Sequence, residues 1–143
     1  MKVGISYIKL SYRLIRNKRE RKMSKYKAGN ILTSFNFAFR GLMLALKSQR
    51  NFRADIIIGI IVLIAALWLK VTRIEIAILV LVIGLTMFAE LVNTVIEFIV
   101  DAYFGNKYSI LAKMAKDISA CAVMLCASIS VLIGILIFWP KIF

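Results

Sequence analysis

Residues Ile74 to Val100 form a nearly unbroken apolar run, and its length limits what the chain can fold into. As α-helix these 27 residues rise about 40 Å, more than the ~30 Å hydrocarbon core of a bilayer. Two shorter runs, Ile56–Leu69 and Ile118–Trp139, flank it. The chain is 62% hydrophobic with a single proline, and its mean hydropathy of +0.86 lies far above that of a soluble domain. The pattern predicts an all-α membrane protein with three transmembrane helices, at about 54–70, 74–100 and 117–139. The first run is short: 14 residues make only about 21 Å of helix. Either Asp55, Lys70 and Arg73 snorkel, or that span begins upstream.

The long run ends in polar residues that share a face. Glu90, Asn93, Glu97 and Asp101 fall within roughly 80° of a helix, and Thr86 and Thr94 widen the stripe to about 100°. Leu91, Val92, Val95, Ile96, Phe98, Ile99 and Val100 are assigned to the other side. A carboxylate at bilayer depth costs about 2.5–3.5 kcal/mol on insertion scales. Several on one face point to a metal, a proton or a substrate. A polar seam holding helices together is the structural alternative.

Charge is unevenly distributed. Residues 1–55 hold 14 of the 20 Lys and Arg but two of the seven acids. Residues 1–30 are expected to form a basic arm, and a surface helix follows at about 31–53. Phe35, Phe39, Leu42 and Leu46 repeat at amphipathic spacing there, as in a helix lying in the interface plane. The arm is too charged for a secretory signal. Beside apolar spans it suits an anionic membrane surface better than nucleic acid, for which no reading motif is present. Lys107, Lys113 and Lys116 fall on the same side as the arm after three crossings, which the positive-inside rule makes cytoplasmic. Cys121 and Cys126 are about 140° apart on one helix and read as packing residues.

The chemistry available is limited. There is no histidine, and no Ser-His or Cys-His pair for nucleophilic hydrolysis. No Walker A sequence or kinase Gly-rich loop is present. Carboxylates near lysines suit a magnesium–phosphate complex, with hard oxygens for the ion and ammonium groups for phosphate. A deeper carboxylate suits proton removal from a hydroxyl presented by the bilayer. A proton or ion pathway stays open on these grounds.

Glu90-Leu-Val-Asn-Thr-Val-Ile-Glu-Phe-Ile-Val-Asp101, with Ala115-Lys116-Asp117 downstream, resembles the signature of the bacterial membrane diacylglycerol kinase/undecaprenol kinase family. Phe37-Ala-Phe-Arg-Gly-Leu42 and Arg50-Asn-Phe-Arg53 are similar to its Gram-positive-type, undecaprenol-kinase-like branch, and the likeness spans about residues 31–140. The resemblance implies a homotrimer in the bacterial inner membrane, N-terminus cytoplasmic, that moves the γ-phosphate of ATP to a lipid alcohol with Mg2+. It favours undecaprenol over diacylglycerol. It implies Glu90 as general base, Asn93 as a positioning residue, Glu97 as metal ligand, and Asp101, Lys116 and Asp117 as ATP-binding residues. One position departs: Gln49 stands where the well-studied diacylglycerol kinases have a second metal-binding glutamate. Its amide keeps an oxygen but brings no charge. A non-catalytic assembly or regulatory protein of the same fold is the alternative that this departure keeps open.

Overall fold

The computed structural model describes residues 30–105 and 107–143, so the basic arm lies outside the described residues except for Asn30. The chain divides into two units, Met1–Gly41 and Leu42–Phe143, and the helix packing below belongs to the second. Four helices follow one another: α1 Ile31–Ser48, α2 Arg50–Trp68, α3 Arg73–Phe104 and α4 Ile110–Ile142. The last three are long and apolar enough to cross a membrane.

Between α1 and α2 the helix is interrupted at one residue. Gln49 is extended, with φ −105° and ψ 115°, and its side chain does not cap α2. Arg53 secures the break from the other side. Its Nη1 donates to the Leu46 and Lys47 carbonyls at 2.8 and 3.3 Å, placing a cation on the otherwise open C-terminal end of α1. The first span thus begins at Arg50, before its apolar run. Its 19 residues reach about 28 Å, close to bilayer thickness. Every seventh residue of α2 is buried, at Phe52, Gly59 and Ala66, which sets one face against α3. At Gly59 a Cβ would lie 2.9 Å from the Ile83 side chain, so the absence of one sets that close approach.

The α2–α3 turn is specified residue by residue. The Val71 amide donates to the Ala66 carbonyl and the Lys70 amide to the Leu67 carbonyl, at 3.0 and 3.2 Å. That pair of bonds is a Schellman stop, with Lys70 as its left-handed residue at φ 53°. Val71 and Ala66 both sit in the apolar cluster with Leu79 and Ile137, the contact this motif usually carries. Thr72 then starts α3 with a capping box. Its hydroxyl accepts from the Glu75 amide, and the Glu75 carboxylate accepts from the Thr72 amide at 2.8 Å. Thr72→Ala is expected to cost about 1 kcal/mol of stability. Lys70→Gly is expected to be neutral or stabilising by up to about 1 kcal/mol, because glycine adopts positive φ without strain. Unfolding in mixed micelles followed by circular dichroism checks both, and a destabilised Lys70→Gly would contradict the assigned turn.

Helix α3 ends at Gly105, whose φ of 57° and ψ of −132° favour glycine. The turn expected at Gly105-Asn106 is present at the glycine. Helix α4 starts at Ile110, well before the apolar run at Ile118, with the Ser109 hydroxyl accepting from the Ala112 amide. Lys113, Lys116 and Asp117 lie in its first turns. Helix α3 packs along α4 and, less extensively, against α2. Glu75 and Lys141 pair at 3.6 Å at one end of this bundle, and Asp101 and Lys116 pair at the other.

The packing buries polar groups beside the apolar cluster and leaves large apolar side chains outside. Thr86, Glu90, Asn93, Thr94 and Ser119 are buried, while Leu81, Phe88, Ile99, Leu132 and Leu136 are exposed. Thr86 and Ser130 join α3 to α4 through their hydroxyls, 2.9 Å apart. Phe35, Phe39 and Leu42 of the α1 stripe are exposed as well. Cys121 and Cys126 are free thiols.

Candidate functional site

The polar stripe of α3 faces its neighbours as its spacing predicts, and it grades from buried to exposed. Glu90 is 2% exposed and Asn93 8%. Glu97 is half-buried and Asp101 exposed. Val100, assigned by its angle to the apolar outer face, is buried instead. Helix α4 continues past the bilayer-length segment beside it, and Val100 forms part of the wall that results.

The centre of the site is a chain of side-chain hydrogen bonds. The Ser119 hydroxyl donates to Asn93 Oδ1 at 2.6 Å. Asn93 Nδ2 donates to Glu97 Oε1 at 3.2 Å. Gln49 Nε2 reaches Glu97 Oε2 at 3.5 Å, the long limit of a hydrogen bond. Helices α3 and α4 and the α1–α2 break thus converge on one carboxylate. A turn further along α3, Lys116 Nζ lies 2.5 Å from Asp101 Oδ1. Asp117 is exposed beside this pair, on the wall of a cavity of about 280 Å3. Lys107, Tyr108, Ser109 and Lys113 line the same cavity. Glu90 stands apart from the chain of bonds. Among the described residues its carbonyl accepts from Thr94 at 2.9 Å, and its carboxylate takes no hydrogen bond.

A second cavity of about 280 Å3 opens between α2, α3 and α4. Its wall is almost wholly apolar, with Gly59, Val62, Val82, Val131 and Gly134. Asp55 is the one charged residue on it. Asp55 belongs to the first span.

The sequence-predicted residues thus form two neighbouring groups: Gln49, Asn93 and Glu97 in one, Asp101, Lys116 and Asp117 in the other. Ser119 was missed. The available signal was its place one turn after Lys116, on a segment rich in small residues. Its partner on α3 could not be read from spacing within α4.

A divalent cation fits the donor set. Magnesium is usually held by one or two carboxylates together with substrate phosphates, rather than by an all-protein cage. Glu97 would supply one carboxylate, and Gln49 would supply an amide oxygen after a half-turn of its amide. Among the described residues no group of three or more His, Cys, Asp or Glu side chains converges as a metal cage.

Three membrane-length helices that bury Glu90, half-bury Glu97 and border a lysine-lined cavity define a membrane protein with an internal polar site. The sequence profile of prokaryotic diacylglycerol kinase matches residues 36–138, and the chain belongs to that family. A diacylglycerol kinase of Synechocystis sp. is 43% identical over 107 residues, covering 75% of this chain and 61% of the relative. The undecaprenol kinase of Bacillus subtilis is 41% identical over 109 residues, 76% of this chain and 88% of the relative. A diacylglycerol kinase of Escherichia coli is 28% identical over the same shares.

Proposed function

We propose that this chain is a membrane lipid kinase that transfers the γ-phosphate of ATP to a lipid alcohol, with undecaprenol preferred to diacylglycerol. The observation that carries the reading is the depth order of the acids along α3. Counted from Arg73 at one headgroup level, a ~30 Å core ends about 20 residues along the helix, between Asn93 and Glu97. Glu90 then lies just inside the hydrocarbon, where a lipid hydroxyl is presented. Glu97, Asp101, Lys116 and Asp117 lie in the headgroup zone, where a nucleotide has access. The Glu90 carboxylate, which takes no hydrogen bond among the described residues, suits a general base that takes the proton of that hydroxyl. Asn93 and Gln49 orient Glu97, and Mg2+ held at Glu97 would offset charge on the transferring phosphate. Lys116, Lys113 and Lys107 supply ammonium groups for the remaining phosphate oxygens.

The apolar cavity beside Asp55 suits the first part of the lipid chain. Its volume is at the small end of ligand pockets, a better match to one chain than to two. Identity to the Bacillus subtilis undecaprenol kinase exceeds that to the Escherichia coli diacylglycerol kinase but not that to the Synechocystis diacylglycerol kinase, so the preference rests on the cavity. A homotrimer in the bacterial inner membrane would cover part of the exposed apolar surface. The basic residues Arg50, Arg53, Lys107, Lys113 and Lys116 near the site support a cytoplasmic orientation for that end and for the N-terminus.

The test is transfer from radiolabelled ATP by purified protein in mixed micelles, with undecaprenol and diacylglycerol offered in parallel and Mg2+ titrated. Product from undecaprenol is expected to exceed product from diacylglycerol. The reverse order would overturn the substrate preference. No product from either lipid would overturn the kinase reading in favour of a non-catalytic protein of the same fold.

A further inference from the structure

We infer that Ser119 is a positioning residue that sets the metal-binding geometry of Glu97 through Asn93. The inference rests on the kinase reading for its purpose, but its evidence is the hydrogen-bond chain itself. A carboxylate only accepts, so Glu97 requires the amide nitrogen of Asn93, not its oxygen, to face it. The amide oxygen of Asn93 is thereby turned toward α4, where it needs a donor because the residue is buried. Ser119 is the donor that meets it, at 2.6 Å and itself 6% exposed. The Lys116 carbonyl also lies 3.0 Å from the Ser119 hydroxyl. A hydroxyl has one proton, and the Asn93 oxygen has the shorter contact.

The polarity of the chain is therefore fixed from end to end: Ser119 to Asn93, Asn93 to Glu97. Without the hydroxyl, the amide oxygen is left buried and unpaired, and a flip of the amide would point that oxygen at the carboxylate. Both outcomes misplace Glu97. Ser119 also sits one turn from Lys116, so the same turn of α4 orders the metal-side carboxylate and the phosphate-side ammonium. Neither the family match nor the predicted stripe assigns this residue a role.

The experiment compares Ser119→Ala, Ser119→Thr and Ser130→Ala in the full-length protein in micelles. Mn2+ is titrated by electron paramagnetic resonance in the presence of a non-hydrolysable ATP analogue. Ser119→Ala is expected to weaken Mn2+ binding about tenfold, at the low end of the effect of residues that support a metal ligand. Ser119→Thr, which keeps the hydroxyl, is expected to stay near wild-type affinity. Ser130→Ala removes a hydroxyl that joins the same two helices elsewhere and is expected to leave Mn2+ affinity unchanged. In the transfer assay, KM for ATP is expected to rise in Ser119→Ala more than kcat falls. Wild-type Mn2+ affinity in Ser119→Ala, or equal weakening in Ser130→Ala, would overturn the inference. Wild-type protein that binds Mn2+ with the analogue but phosphorylates neither lipid would overturn the kinase reading alone. Wild-type protein that binds no Mn2+ would overturn the inference.

Discussion

Glu90→Gln is expected to lower kcat for lipid phosphorylation by about 10²–10⁴-fold, the usual contribution of a positioned general base. The substitution keeps the shape of the side chain and removes its capacity to accept the proton. It also removes a buried carboxylate that takes no hydrogen bond among the described residues. A neutral amide at that depth is no harder to bury, so helix content and elution from a sizing column should match the wild type. Affinity for the ATP analogue should change little, because the nucleotide-side residues lie further along α3. Wild-type turnover in Glu90→Gln would remove Glu90 from the chemistry. The stripe would then be a packing seam at that point.

The second large effect is expected at Glu97. Glu97→Gln removes the one charge on which Asn93 and Gln49 converge. Mn2+ binding with the ATP analogue should weaken by at least about 10–100-fold, since the loss of residues that merely support a metal ligand already reaches that size. Gln49→Glu should act in the opposite direction and tighten Mn2+ binding, because it places a second carboxylate beside Glu97. Without cation the two acids would repel, whereas Gln49 holds Glu97 by an N–H. The native pair is therefore aligned before any ion arrives, with half the charge to attract one. Tighter binding in Glu97→Gln, or looser binding in Gln49→Glu, would move the metal away from this pair.

Much of this was legible because charges in apolar helices are scarce and helix geometry is regular. The face shared by Glu90, Asn93 and Glu97 followed from the 3.6-residue period alone. The ends of the helices were harder to read. Apolar runs marked Ile56 and Ile118, yet α2 begins at Arg50 and α4 at Ile110. Lys, Arg and Ala continue a helix as well as Leu does, so a polar segment next to a span need not be a loop. The Schellman stop at Lys70 was hidden for a related reason: its left-handed residue is not glycine. Ser119 lay outside the reach of periodicity because its role depends on a bond between helices, to a residue 26 positions away in sequence.

The burial of polar groups and the exposure of large apolar ones also have a calorimetric consequence. Heat capacity rises on unfolding when apolar surface enters water. Here Leu81, Phe88, Leu132 and Leu136 already face outward in the folded protomer, and in a micelle or bilayer their surroundings stay hydrocarbon when the helices separate. The groups newly exposed would include Thr86, Asn93 and Ser119, so separation brings little apolar surface into water. The spans should therefore melt with little change in heat capacity, and their stability should fall almost linearly with temperature, without the curvature of a soluble domain.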